Sequence, residues 1–277
     1  MIDDDLGAAS DASLATRPGD VVVSTLENVG LASRLTRLRI ASRGLVLALD
    51  DRLSSGPIGT LSDLQALRAA VREASCEAIM AFPGTLKAFS TAAGWRPTAQ
   101  IMNVNAGTTM GAERVRRGVF GIEQVVAADA VAACFHLNVG APEEPEQLRE
   151  LGDYVCAAHR YGMPMMVAAY PRPDRVTALT DRAHVLHAVT VATELGADIV
   201  KFPFTDDVTT LTALRAAAPG PTMLLMAGGE KKSADDLRAA AVMVTDVGLD
   251  GLCLGRSFFL DPDSPATMRR LRTILRG

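Results

Sequence analysis

An α/β fold of the (β/α)8 TIM-barrel type, preceded by an N-terminal helical extension, is what this sequence predicts, and three observations predict it. Eight short apolar runs recur at 44–50, 77–83, 99–104, 132–138, 164–169, 197–204, 222–227 and 250–255. Segments of helical period separate most of them, clearest at 62–75, 143–160, 177–195, 206–218, 233–247 and 264–275. The chain has 277 residues, 48% of them hydrophobic, which is enough for one barrel with a large core.

Taken in order, residues 1 to about 20 are acidic, rich in Ala and Ser, and aperiodic, so a mobile arm is expected. Leu31, Leu35, Leu38 and Ile40, interleaved with arginines, then predict a helix over 27–41, so that 1–43 precedes the barrel and 44–277 forms it. Ser62-Asp63, Glu143-Glu144 and Ser233 with Asp235-Asp236 are start signals for three of the barrel helices. The strands read as continuous apolar runs, which implies burial on both faces by covering helices. A doubly wound open sheet is the alternative, but no GxGxxG follows the first strand. The second and third units are the least regular, because 84–98 contains Gly94, Trp95 and Pro97 and 105–121 is rich in glycine.

A net charge of −4 and a pI near 5.6 offer no electrostatic footprint for nucleic acid or an anionic membrane. Cys76, Cys134, Cys156 and Cys253 lie in apolar segments without CxxC spacing and read as small buried hydrophobes. The chain shows no signal-peptide pattern and no apolar run long enough to span a bilayer, so a cytoplasmic protein is expected.

In a barrel, the C-terminal ends of the strands face one mouth. Asp50, Asn103 or Asn105, His136 with Asn138, Tyr170 and Lys201 occupy such ends, where packing alone favours apolar side chains. Lys201 is the sharpest signal, because the chain has four lysines against 24 arginines and this one follows the apolar run 197–200. Desolvation lowers an ammonium's pKa, and the neutral amine is a nucleophile toward carbonyls. A lysine that snorkels to the rim, or pairs with Asp206 or Asp207, is an equally weighted alternative for this residue alone. Gly228-Gly229 and Gly255-Arg256, after the seventh and eighth runs, suit a phosphate by backbone N–H groups and a guanidinium fork. His136, His159, His184 and His187 are too scattered to make a convincing ligand set, so no metal is expected.

Together these motifs resemble the DeoC/FbaB class I aldolase family, over roughly 44 to 275. The matches are Asp50-Asp51-Arg52-Leu53-Ser54-Ser55-Gly56-Pro57-Ile58, His136-Leu137-Asn138-Val139-Gly140, Tyr170-Pro171-Arg172, Asp198-Ile199-Val200-Lys201, Gly228-Gly229-Glu230-Lys231-Lys232 and Gly255-Arg256. The resemblance implies a Schiff-base lysine at Lys201, a catalytic tyrosine at Tyr170 and a catalytic carboxylate at Asp50. It further implies substrate or phosphate contacts from Gly228, Gly229, Gly255, Arg256, Lys231, Arg172, His136 and Asn138. The implied reaction makes or breaks a carbon–carbon bond between a ketose phosphate and an aldehyde, as an aldolase or transaldolase. It needs no cofactor beyond the covalent lysine imine. A homo-oligomer is also implied, with a decamer of two pentameric rings as a family form.

Asp51 and Arg52 stand where the family has His-Gly, Pro173 where it commonly has glycine, and Ala168 where its fructose-bisphosphate aldolases have tryptophan. Ser54-Ser55 is closer to its 2-amino-3,7-dideoxy-D-threo-hept-6-ulosonate synthases, which points to a biosynthetic enzyme. The competing reading is a catalytically altered barrel that binds or senses a sugar phosphate, and the Asp51-Arg52 replacement is its main support.

Overall fold

The computed structural model describes residues 29–38, 40, 43–91, 98–111, 115–172, 181–218 and 220–277. The expected arm at 1–20, Gly94, Trp95, Pro97 and Pro173 lie outside the described residues. Eight parallel strands close into a barrel in sequential order: β1 (Gly44–Ala48), β2 (Ala78–Ala81), β3 (Ala99–Asn103), β4 (Ala132–Val139), β5 (Met165–Pro171), β6 (Ile199–Phe202), β7 (Met223–Ala227) and β8 (Gly251–Leu254). Every predicted apolar run overlaps its strand; most are trimmed by one or two residues at an end, while β4 and β5 run on to Val139 and Pro171.

Each strand alternates between two apolar environments. Leu45, Leu47, Ile79, Phe135, Val167, Val200 and Leu224 point outward into the layer shared with the helices. Val46, Ala48, Met80, Ile101, Met166, Ile199, Leu225 and Cys253 point into the barrel. Burial on both faces is why these strands read as continuous runs.

The helices begin where their caps allow. Asp63 accepts from the N–H groups of Gln65 and Ala66 to start Leu64–Ala74, and Ser233 with Asp236 forms a capping box on Ala234–Val247. Glu144–Arg160 and Arg182–Glu194 cover β4 and β5, and Ser264–Arg276 packs on β1. In the irregular third unit a short antiparallel ribbon, Asn105–Ala106 with Arg117–Gly118, precedes the helix Ile122–Ala127.

The N-terminal extension is the helix Val29–Leu38, and it closes the bottom of the barrel. Leu35, Leu38 and Ile40 join the interior cluster, while Arg34 donates to the carbonyls of Tyr161 at 3.0 Å and Gly162 at 2.9 Å. At the same end the Glu77 carboxylate accepts from Arg272 and Arg276, each at 2.6 Å, and from the backbone N–H of Leu45 at 2.9 Å. This buried anion ties the last helix to β1 and β2. Among the described residues, no helix is long and apolar enough to cross a membrane.

One cysteine expectation fails. Cys134 and Cys253 are buried, but Cys156 is exposed on Glu144–Arg160 and Cys76 is only half-buried. An apolar-looking stretch of a long amphipathic helix still turns some positions to solvent.

The seam between β1 and β8 leaves no room for a side chain at Gly251. Its φ is +144°, and an added Cβ would lie 2.0 Å from the carbonyl oxygen of Gly44. Gly251→Ala is expected to cost roughly 3 kcal/mol or more, as overpacking plus backbone strain, measured as a lower denaturant midpoint. Gly84→Ala, on a helix and with nothing within 4 Å of the added carbon, should be neutral or slightly stabilising.

Candidate active site

Strand parity decides where Lys201 goes. Ile199 faces the barrel interior, so Lys201, two residues on, does too, paired in register with Ala168 on β5 and Leu225 on β7. The side chain is buried, with only 8% of the residue exposed. It does not pair with Asp206 or Asp207: Asp206 is exposed, and Asp207 caps Val208–Ala217 through the N–H groups of Thr209 and Thr210.

Burial acts to lower the Lys201 pKa, as its place in an apolar strand predicts. The surrounding Cys253, Tyr170, Asp50 and Cys134 outweigh it and hold the ammonium above the ordinary lysine range. Burial in turn pushes both thiols and the Tyr170 phenol up. Asp50 is among the groups that act on the amine, and the amine itself acts on the neighbouring Asp51. A nearby opposite charge can outweigh desolvation, and this could not be read from the strand alone.

Tyr170 sits one inward step above Ala168, at the rim. Its ring stacks on His136, with centroids 5.0 Å apart and planes 17° apart, and the Arg172 guanidinium carbon lies 5.5 Å from the ring centre. Burial, together with the charges of Arg116, Lys201 and Arg172, drives His136 well below its usual pKa, so the imidazole is neutral. Asn105 holds this strand end: its amide donates to the His136 carbonyl and accepts from the His136 N–H, both at 2.8 Å. Asn105 is thus a backbone clamp. The fully buried Gln147 accepts from the N–H of Asn138 at 2.8 Å, and the Asn138 amide donates to Glu143 at 3.3 Å.

Across the mouth, Gly228-Gly229 follows β7 and Gly255 follows β8. Gly229 adopts φ +64°, a conformation that favours glycine, and a Cβ on Gly228 would crowd the Leu254 side chain on β8 at 2.9 Å. Arg256 begins the short helix Arg256–Phe259 and stands in the cavity wall. Lys231 is not brought here: its ammonium donates to the Leu260 carbonyl at 3.2 Å and lies 3.6 Å from Asp261. Lys232 lines the cavity instead, its nitrogen 4.3 Å from the centre of the Phe204 ring and its backbone N–H donating to Ser257 at 2.9 Å.

The mouth holds a cavity of about 1010 Å³, with Asp51, Arg116, His136, Tyr170, Arg172 and Arg256 in its wall. Asp51 lines it and Arg52 does not. Cationic groups stand on two sides, Arg116 and Arg172 near β3 to β5 and Arg256 with Lys232 after β7 and β8, and the buried amine belongs to the barrel between them. This arrangement can hold an anionic carbonyl compound over a nucleophile. Among the described residues, no three His, Cys, Asp or Glu side chains group as a metal site. A cavity of about 570 Å³ at the opposite end gathers Glu77, Arg272 and Arg276, the clamp described above.

Arg116, Gln147 and Lys232 escape sequence reasoning. Arg116 comes from the loop just before the second ribbon strand, not from a barrel strand end, and adjacent Lys231 and Lys232 are indistinguishable until the turn is folded.

The profile of the DeoC/LacD family aldolases matches residues 45–261. The 2-amino-3,7-dideoxy-D-threo-hept-6-ulosonate synthase of Halobacterium salinarum is 29% identical over 235 residues, 84% of this chain and 87% of that protein. The 2-amino-4,5-dihydroxy-6-oxo-7-(phosphonooxy)heptanoate synthase of Streptomyces griseus is 27% identical over 236 residues, 84% and 85% of the two chains. An archaeal fructose-1,6-bisphosphate aldolase, whose catalytic lysine is covalently bound to the carbinolamine intermediate of its substrate, superposes with a TM-score of 0.80 at 25% identity, over 89% of this chain and all of that one.

The two lysines of the turn give a direct test. Lys232→Ala should weaken inorganic phosphate binding by about 1.5 kcal/mol, the scale of one charged hydrogen bond, while Lys231→Ala leaves it unchanged. Titration calorimetry on the two variants would show the difference, and equal losses would place the anion elsewhere.

Proposed function

The chain belongs to the DeoC/LacD family of class I aldolases, and on that premise we propose that it is a metal-independent biosynthetic aldolase or transaldolase. In this reading Lys201 forms an imine with a ketose-phosphate donor of the dihydroxyacetone phosphate type. The observation that carries it is the placement of Lys201 inside the barrel mouth, with Tyr170 on the neighbouring strand and Asp50 as charge partner.

The chemistry follows from what each group can do. The Lys201 nitrogen, once deprotonated, attacks the donor carbonyl and loses water to give an iminium, an electron sink for the adjacent carbanion. The Tyr170 phenol, kept protonated by burial, gives its proton to the alkoxide as the carbon–carbon bond forms and regains it on cleavage. Asp50 balances the positive charge throughout. The turns at Gly228-Gly229 and Gly255-Arg256, with Lys232, hold the donor phosphate, whose remote binding energy positions the reacting carbon. His136, Asn138, Arg172 and Arg116 border the acceptor half.

The acceptor we favour is an amino-acid semialdehyde. The product named for the Streptomyces griseus relative is a seven-carbon amino acid bearing a terminal phosphate. Its carbon skeleton divides into a three-carbon keto phosphate and a four-carbon 2-amino aldehyde acid. Ser54-Ser55 and the match to the Halobacterium salinarum synthase support the same choice. Many members of such a family work as homo-oligomers, and we extend that expectation to this chain.

Borohydride reduction in the presence of dihydroxyacetone phosphate, followed by intact-mass and peptide analysis, tests the central step. The donor's mass should appear on Lys201 and be lost in Lys201→Ala, whereas an adduct on Lys87, Lys231 or Lys232 would overturn the assignment. Tyr170→Phe should keep the adduct but turn over about 10²-fold more slowly. Activity should survive exhaustive EDTA treatment. Comparison of kcat/KM for aspartate semialdehyde and glyceraldehyde 3-phosphate decides the acceptor, and a preference for the sugar phosphate would reject the semialdehyde.

A further inference from the structure

We propose that Asp51 is a second catalytic carboxylate. It accepts a proton from the Lys201 ammonium and returns it to expel water from the carbinolamine. The proposal rests on the reading of Lys201 above and adds a residue that stands where the resembling family has histidine.

The placement of Asp51 carries the inference. It is the first residue of the short helix Asp51–Ser54 that follows β1, and it lies in the wall of the active-site cavity. Ser54 Oγ donates to Oδ1 at 3.2 Å, which helps to fix the carboxylate. The charged groups that act on it are Asp50, Lys201 and Arg256, so the carboxylate feels both the buried amine and the guanidinium assigned to the donor phosphate. The two adjacent acids then divide their roles. Asp50 helps to hold the amine as an ammonium, which is unreactive until a base removes a proton. Asp51, unlike Asp50, lines the cavity from which the donor must approach and is suited to be that base.

The proton affinity of Asp51 supports this division. Desolvation and the neighbouring Asp50 raise its pKa above the ordinary 3.8, while Lys201, Arg256 and the Ser54 hydrogen bond work against them. A phosphate bound at Arg256 neutralises one of those opposing charges. Donor binding therefore makes Asp51 a stronger base at the moment Lys201 must lose a proton.

The steps balance. Lys201 passes one proton to Asp51 and becomes a neutral amine. Its lone pair forms the C–N bond to the donor carbonyl carbon, and one amine proton moves to the carbonyl oxygen. Asp51 returns its proton to that hydroxyl, the C–O bond breaks, water leaves, and the nitrogen lone pair completes the iminium. One water is released and no redox partner is required.

The test is the rate of imine formation, measured by rapid mixing and borohydride quench with dihydroxyacetone phosphate and with unphosphorylated dihydroxyacetone. Because Asp51 must be ionised to accept the proton, the wild-type rate should fall as pH drops through its raised pKa. Asp51→Asn, which keeps the side-chain shape and the Ser54 contact, should form the imine about 10²-fold more slowly and lack that acidic limb. It should also lose most of the advantage of the phosphorylated donor. Asp51→Glu should recover most of the rate, and its limb. An Asp51→Asn enzyme with wild-type trapping rate and pH profile would overturn the proposal while leaving the Lys201 assignment intact. Equal melting temperatures and equal affinity for inorganic phosphate in wild type and Asp51→Asn would place a slower rate in the chemistry. A phosphate affinity lost in step with the rate would instead make Asp51 a support for Arg256 and overturn its catalytic role. Absence of any adduct on wild-type Lys201 would remove both readings.

Discussion

Closure of the barrel at the β1–β8 seam is the constraint on which the rest of the molecule depends. Gly44 and Gly251 pair there, with no space for a side chain at Gly251. Once the sheet is closed, every strand must put alternate residues into an interior sealed at the bottom by Leu35, Leu38 and Ile40. A polar group on the inward face near a strand's end can then reach water only through the upper mouth. Lys201 is such a group, and its burial follows from two-residue periodicity applied to a closed sheet.

The electrostatic character of the mouth follows from the same geometry. An ammonium in an apolar interior needs a counter-charge, and the turn after β1 supplies Asp50 and Asp51. The positive groups around the mouth come instead from loops and turns: Arg116 from the loop just before the second ribbon strand, Arg172 after β5, Lys232 after β7 and Arg256 after β8. Strands thus place Lys201 and Tyr170, and connecting segments place the carboxylates and the cations that would select the substrate. A relative can keep the first set while varying the second, which suits a family whose compared members carry several different product names.

The strands and most of the candidate site were legible in the chain because each rests on a local rule. Continuous apolar runs separated by helical periods specify parallel strands, and a rare lysine at the end of such a run is conspicuous. The turns at Gly228-Gly229 and Gly255 are visible because few other residues fit them. What was not legible depends on where loops fold back. Lys231 and Lys232 are neighbours in sequence, yet one turns to Leu260 and Asp261 and the other to the cavity. Asn105 looked as suitable for the mouth as Asn103, but its amide is spent on the His136 backbone. Cys156 looked buried and is exposed.

The sequence by itself determined the barrel, the order of its eight strands and the inward-facing ends of β4, β5 and β6, because periodicity and turn chemistry act over a few residues at a time. Tertiary structure alone decided the protonation of the site and the membership of its wall. The Lys201 pKa is raised because Cys253, Tyr170 and Asp50, brought in from three other strand ends, act on the amine, an effect that depends on distance in space and outweighs the desolvation a single strand foretells.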